Sequence, residues 1–243
     1  MATLKEIRSR IKSVKSTRQI TKAMEMVAAA KFRRAQQRVL EARPYADHMG
    51  QTLSSLAEAS GGEIMHPFFE TREIKKRTLV LIISDRGLCG SYNSHLLRSA
   101  DRWLAQYNPP EVELALVGSR ALDYYKRRQY PIAGNYCGWG GALDYQMARS
   151  LVSFLTRRFS DGETDAVNVI YARFISTAKY LVTNEQYLPV KKPEVTDSGR
   201  TSRKEYIFEP SPEEIYASLM PGYSLTLMIG ALLDSFASEH SAR

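Results

Sequence analysis

Apolar residues recur along the first fifty-six positions of the chain in alternating steps of three and four. From Leu4 the steps fall on Ile7, Ile11, Val14, Arg18, Thr21, Glu25, Ala28, Phe32, Ala35, Val39, Ala42, Ala46, Met49, Leu53 and Leu56. Thirteen of these sixteen are apolar, where a chain of 44% hydrophobic content gives about seven by chance. A seven-residue repeat held this long predicts a coiled-coil helix, not merely a core-facing one. At about 1.5 Å per residue it extends roughly 80 Å, so it must project from any domain of this size. Arg18, Thr21 and Glu25 interrupt the seam, while Ile20, Met24, Met26 and Val27 are rotated onto neighbouring faces. Such an interruption either fixes register or marks a stretch that meets something other than its helical mate. Pro44 predicts a kink near residues 40–43 without an end to the repeat.

The period then changes. Gly61, Gly62 and the residues that follow read as a connector. Thr78 to Ser84 is a continuous β-branched and apolar run, as expected of a strand buried on both faces. Asp85 to Gly90 is a turn, and helical spacing runs from Tyr92 to Tyr107. Val112 to Val117 is a second buried strand, Ala121 to Arg128 a helix, and Tyr130 to Ala133 a short strand. Gly138-Trp-Gly-Gly141 turns into a helix over Ala142 to Phe159. Ala166 to Phe174 and Tyr180 to Pro189 read as two strands joined at Ser176-Thr177-Ala178. This alternation predicts an α/β sheet with right-handed crossovers. Residues 190–204 read as an exposed loop and Tyr206 to Phe208 as an edge strand. Ser211-Pro-Glu-Glu214 is a helix start with a serine cap, a proline at the first position and a glutamate three after the cap. That helix is expected to bend at Pro221-Gly222 and resume through Leu225, Ile229, Leu232 and Phe236. The domains expected are a coiled-coil helix over 1–60, a connector over 61–77, an α/β domain over 78–208 and a C-terminal helix over 209–243.

Charge changes the picture of the rod. Residues 1–43 hold twelve Lys and Arg against three acids, +9, whereas the whole chain is +8. The excess therefore belongs to the rod, which would seek an acidic protein surface, nucleic acid or an anionic membrane. Few acids are placed for i, i+4 pairing, which separates it from a simply solvated helix. No run of eighteen apolar residues suggests a bilayer span. The basic, amphipathic N-terminus lacks the apolar core of a secretory signal, and the two cysteines, Cys89 and Cys137, give no disulfide or zinc framework.

The turn after the first strand is the chief candidate for chemistry. Asp85 to Gly90 has only Gly87 and Gly90 where a dinucleotide loop needs G-x-G-x-x-G. Cys89 with His95 could make a nucleophile and its base, although a buried, inert cysteine is the commoner case. The four histidines show no metal-ligand spacing. The seam deficit is more telling. The C-terminal helix is too short to cover the whole rod and leaves Leu4, Ile7, Ile11 and Val14 without a mate, so a partner from elsewhere is expected to bury them.

Three motifs on three elements resemble the γ-subunit family of rotary F-type ATP synthases: Ile20-Thr-Lys-Ala-Met-Glu-Met-Val-Ala-Ala-Ala-Lys31, Ser84-Asp-Arg-Gly-Leu-Cys-Gly90 and Tyr206-Ile-Phe-Glu-Pro-Ser211. The resemblance covers the whole chain in order. It implies a Rossmann-like α/β foot carrying an antiparallel coiled coil, which is the central-stalk rotor of a proton-translocating synthase and does no bond chemistry itself. The implied partners are the α and β subunits, with one copy per complex, the ε subunit and the membrane c-ring. Lys22, Met24 and Lys31 are the implied contacts with β, with Arg33 and Arg34 as electrostatic neighbours. The turn of Asp85, Arg86, Gly87, Leu88, Cys89 and Gly90 is expected to meet ε or β. No catalytic residue, metal or cofactor is implied. The expected location is peripheral, on the cytoplasmic face of a bacterial inner membrane, with an organellar inner or thylakoid membrane as the alternative. Relative to the family, the segment from Ala231 to His240 would continue into a longer helix, so the chain reads as C-terminally shortened. The rival readings are a basic coiled-coil nucleic-acid-binding protein and a nucleotide-binding α/β enzyme. The first is disfavoured because the basic segment itself carries the seam.

Overall fold

In the computed structural model, which describes residues 3–59, 66–190 and 211–243, one helix takes up the whole predicted seam. This helix, α1 (Leu4–Ala59), continues unbroken through Pro44. Its mate is α5 (Pro212–Ala242), a helix that runs without interruption past Pro221 and Gly222. The Ser224 hydroxyl donates to the Pro221 carbonyl at 2.9 Å, and that of Thr226 to the Gly222 carbonyl at 2.8 Å. Both bonds lie in the turn after Pro221, whose missing N–H would have served the Ala217 carbonyl one turn back. The expected start is present, with the Ser211 hydroxyl accepting from the Glu214 amide at 3.2 Å.

The two helices run in opposite directions. Gly222 lies beside Met49, Asp234 pairs with Arg43 at 3.4 Å, and His240 lies near the level of Lys31. Burial of the seam follows this overlap. Ala28, Ala35, Val39, Leu53 and Leu56 are buried, whereas Leu4, Ile7, Ile11 and Val14 are 70, 48, 51 and 67% exposed. The deficit expected from the sequence is therefore present among the described residues.

Five strands form one sheet in the order β3-β2-β1-β4-β5. They are β1 (Arg77–Ile82), β2 (Val112–Val117), β3 (Ile132–Tyr136), β4 (Ala166–Ser176) and β5 (Lys179–Leu188). The first four are parallel, and β5 returns antiparallel to β4. Alternation along β1 divides the core in two. Leu79 and Leu81 pack with α2 (Tyr92–Leu104) and α3 (Ser119–Tyr125), through Leu96, Trp103 and Tyr125. Val80 and Ile82 face α4 (Tyr145–Ser160), α5 and the end of α1, through Leu155, Phe236 and Leu53. By composition α5 is apolar enough to cross a bilayer, a feature the sequence reading gave to no segment. Here that apolar character serves the core, since Tyr216, Met220, Met228, Leu232 and Phe236 are buried between α1 and the sheet.

Several boundaries differ from expectation. Strand β3 lies two to three residues later than the run at Tyr130 to Ala133, because Gly134 and Asn135 pair with β2 without supplying an apolar signal. Helix α4 begins at Tyr145, not Ala142, where the Asp144 carboxylate caps the amides of Gln146 and Met147. Helix α3 starts two residues early, at Ser119, and stops at Tyr125. The connector's glycines, the 190–204 loop beyond Val190 and the Tyr206 to Phe208 strand lie outside the described residues.

Candidate functional site

The rod motif lies where α1 leaves α5. Lys22 forms an exposed pair with Glu25 at 3.1 Å, and Met24 is half-buried. Arg33 and Arg34 are exposed, as are Ile20, Met26 and Val27 at 58, 60 and 58%. Solvent therefore meets a belt that is both cationic and greasy. Lys31 differs from the others, because its ammonium donates to the Gly140 carbonyl at 2.9 Å and is half-buried.

The second candidate, the turn after β1, divides into inward and outward residues. Asp85 points in. Its Oδ1 accepts from the Ser119 amide and hydroxyl at 3.0 Å each and from the Gly138 amide at 2.9 Å, while Oδ2 accepts from the Gly140 amide at 2.8 Å. Burial works to raise its pKa, but the bonds from Gly138, Gly140 and Ser119 outweigh it and hold the carboxyl below the ordinary aspartate value. Gly118 makes this possible. Its φ is +96°, and a Cβ there would fall 2.2 Å from the Ile83 carbonyl, so only glycine lets Ser119 approach the turn. Arg86 is exposed, and Leu88 is 77% exposed at φ +60°, a left-handed conformation that costs a branched side chain energy. Cys89 is buried, while Gly90 takes a φ of +57°.

The loop over Gly138 to Gly141 joins the two candidates. Its amides go to Asp85 and its carbonyls go to the helices. Lys31 takes Gly140, and His240 Nε2 meets the Gly141 carbonyl at 2.7 Å. Because a carbonyl only accepts, Nε2 must carry the proton. A Cβ on Gly141 would lie 2.5 Å from the His240 ring, so this approach also requires glycine. Burial lowers the His240 pKa, and Lys31 and Arg243 add to the effect, which keeps the ring neutral. Beside it, burial raises the pKa of Glu239 although Arg243 pairs with it at 2.7 Å. Arg243 also donates to the Gly87 carbonyl at 3.4 Å. None of these contacts was visible in the sequence. The Gly loop had been read as a turn, and His240 only as one of four histidines without metal-ligand spacing.

The chemistry considered for the turn is not assembled. His95 Nδ1 pairs with the Tyr180 hydroxyl at 2.9 Å, and the neighbours of the Cys89 thiol are Ser84 Oγ and the Arg86 carbonyl, both at 3.9 Å. The strand order reverses between β1 and β4, and in open α/β sheets ligands bind in the crevice at that point. Here α5 covers it. Ala172 of β4 donates to Ser235 Oγ and accepts from Ser238 Oγ, both at 3.2 Å, and the Tyr92 hydroxyl donates to the Ser235 carbonyl at 3.1 Å.

Comparison with known proteins bears on the same elements. The sequence matches the family model described as ATP synthase over residues 3–243. It is 41% identical over 243 residues to the ATP synthase gamma chain of Pelotomaculum thermopropionicum, covering 100% of this chain and 84% of that one. The chain belongs to the ATP synthase gamma chain family. The gamma chain of Desulforamulus reducens is 42% identical with the same coverage. The fold of this chain is seen again in a structure of the central stalk and c-ring of the Tetrahymena thermophila mitochondrial ATP synthase, at a TM-score of 0.67 and 24% identity, over 92% of this chain and 95% of that one. The rotor of the Euglena gracilis mitochondrial ATP synthase gives a TM-score of 0.60 at 19% identity, over 97% of this chain and 86% of that one.

Proposed function

We propose that this chain is the central-stalk rotor subunit of a proton-translocating F-type ATP synthase and does no bond chemistry itself. The α1–α5 pair acts as an antiparallel coiled-coil shaft, formed by residues 1–60 and 209–243. Residues 78–208 act as the foot that rests on the membrane c-ring and holds ε. One copy stands in the ring of α and β subunits, at the cytoplasmic face of a bacterial inner membrane.

The observation that carries this reading is the bare half of α1. Residues 3–27 carry seven Lys and Arg against two acids and display the exposed seam of Leu4, Ile7, Ile11 and Val14. A single helix of this kind has different faces, so on turning within a threefold ring it presents a different surface to each β subunit in succession. Each catalytic site is thereby driven through a different conformation in order, and rotation becomes sequential binding, synthesis and release of nucleotide. Lys22, Met24, Arg33 and Arg34 supply the contacts with β, and Lys31 anchors the root of the shaft while its charge adds to theirs. Arg86 and Leu88, which face outward, supply the contact of the turn with ε or β. Cationic side chains opposite acidic loops speed association and set orientation more than they add affinity.

The test is reconstitution. The full chain is mixed with α and β subunits, and the products are examined for a complex with one copy of this chain per three αβ pairs and for ATP hydrolysis. Failure to associate removes the rotor reading.

A further inference from the structure

A load passing from sheet to shaft must cross contacts between the two, and these are unequally distributed. Ser235 and Ser238 tie only α5 to β4. Arg43 ties α1 to the Phe174 carbonyl of β4 at 3.2 Å, well away from the bare half of the helix. Phe174 of β4 meets both helices, its carbonyl taking Arg43 of α1 and its ring in one cluster with Phe32 of α1 and Leu233 of α5, and the loop over Gly138 to Gly141 also holds both, through Lys31 on Gly140 and His240 on Gly141. Trp139 adds an apolar contact, its ring centroid 5.7 Å from that of Phe236 on α5. It is also the tie nearest the exposed half of α1.

Such a loop has little to hold its own shape. Three of its four residues are glycines at positive φ, so its conformation is not fixed by side-chain sterics. Two local bonds close it, Trp139 Nε1 to the Tyr136 carbonyl and the Ala142 amide to the Trp139 carbonyl, and one carboxylate ties it to the sheet. Asp85 receives the Gly138 and Gly140 amides and, through Ser119, fastens them to the turns that follow β1 and β2. Charge-assisted bonds of this kind are short and directional, and here four converge on two oxygens.

We propose that Asp85 is the positioning residue that locks the 138–141 loop between the sheet and both long helices, so that torque on the foot reaches the shaft through this loop. The proposal rests on the rotor reading and gives its force path. Asp85 is engaged within the chain by Ser119, Gly138 and Gly140, and it acts by fixing the carbonyls that hold Lys31 and His240.

The test uses Trp139 as a reporter in the full chain, in a Trp103→Phe background that leaves it the single tryptophan of the original two. Asp85→Ala is expected to shift and weaken Trp139 emission as the loop leaves Phe236. Sodium formate, a carboxylate small enough to occupy the four donors, is expected to restore the emission saturably, and sodium chloride at equal ionic strength is not. Asp85→Asn keeps the shape but turns an N–H toward a donor, so formate is expected to leave it unrestored. In the assembled synthase, without formate, Asp85→Ala is expected to retain ATP hydrolysis and lose most of the protons pumped per ATP. Unchanged Trp139 emission in Asp85→Ala overturns the proposal, as does equal restoration of Asp85→Asn or an unchanged pumping ratio with a displaced loop. If Asp85→Ala does not fold, Ser119→Ala, which removes only the hydroxyl donor, is expected to give smaller changes of the same sign, and no change overturns the proposal. The rotor reading fails separately, when the unaltered chain does not join α and β, and the fluorescence results still decide what Asp85 does to the loop.

Discussion

Replacing Leu53 by alanine removes a side chain that is 1% exposed at the overlap of α1 with α5 and the sheet, where Met220, Leu56 and Phe69 belong to the same core cluster. Truncating a buried leucine costs about 2–5 kcal/mol through lost transfer energy and the cavity left behind. For a chain of this size each kcal/mol moves the melting temperature by roughly 2–4 °C, so the isolated chain should lose about 4–20 °C. Ile7 occupies the same seam but is 48% exposed. Its replacement by alanine should therefore leave the isolated chain within about 0.5 kcal/mol of the original. In the assembled complex the same change removes apolar area that a partner buries, and binding should weaken by up to about 1.5–3 kcal/mol. Thermal melting of the isolated chains, followed by near-UV circular dichroism, measures the first effect, and titration with α and β subunits measures the second. The reasoning is refuted if Ile7→Ala lowers the isolated chain's midpoint as far as Leu53→Ala, because the seam at Ile7 would then be closed within the same molecule.

Other expectations follow from particular contacts. Glu113 is 3% exposed and held by Arg158, Lys76 and the Thr78 hydroxyl, so Glu113→Gln, which leaves Arg158 short of its partner, should cost about 3–5 kcal/mol, read as a lower urea midpoint. The His240 pKa lies below its ordinary value of 6.5, so the unfolded chain binds the extra proton. The linked stability is present at neutral pH and lost as pH falls below about 6.5. His240→Gln should flatten the slope of melting temperature between pH 7.5 and 5.5 relative to the original chain, on the order of the loss of one titrating group, and an unaltered slope contradicts the assignment. Leu88→Gly relieves a left-handed backbone at an exposed side chain, so the isolated chain should be stabilised by about 0.5–1 kcal/mol in chemical denaturation, with weaker docking of whichever subunit the turn meets.

The elements most legible in the sequence were those whose burial is uniform along their length. Leu79 to Ile82 and Val112 to Val117 lie inside the sheet on both faces, so their apolar runs could be read directly. The α1 seam was legible for the opposite reason, because a single stripe repeated over many turns leaves little room for another interpretation. Its uncovered half was found by counting the residues available to pair with it. Strand β3 was misplaced because Gly134 and Asn135 take part through backbone pairing alone, and the start of α4 because the glycines before Asp144 hold no helical spacing to break. The site was harder still. Asp85 and Lys31 were singled out as surface contacts, yet each is engaged across the chain, by residues 34 to 55 positions away for Asp85 and 109 away for Lys31. Periodicity reports which face of an element is buried and carries no record of which loop arrives to meet it.

The overlap of α1 with α5 also sets how the rod responds to disturbance. From Leu56 to Lys31 the helix is clamped over about 37 Å, and from Lys31 to Leu4 it is a cantilever of about 40 Å at 1.5 Å per residue. With Leu56 as the fulcrum, a sideways slip of about 1 Å at Lys31 is magnified to about 2 Å at Leu4 by that rise. A small looseness at the clamp's outer edge thus becomes a misalignment comparable to a bond length or more at the free end, where the angular position of each face has to be kept.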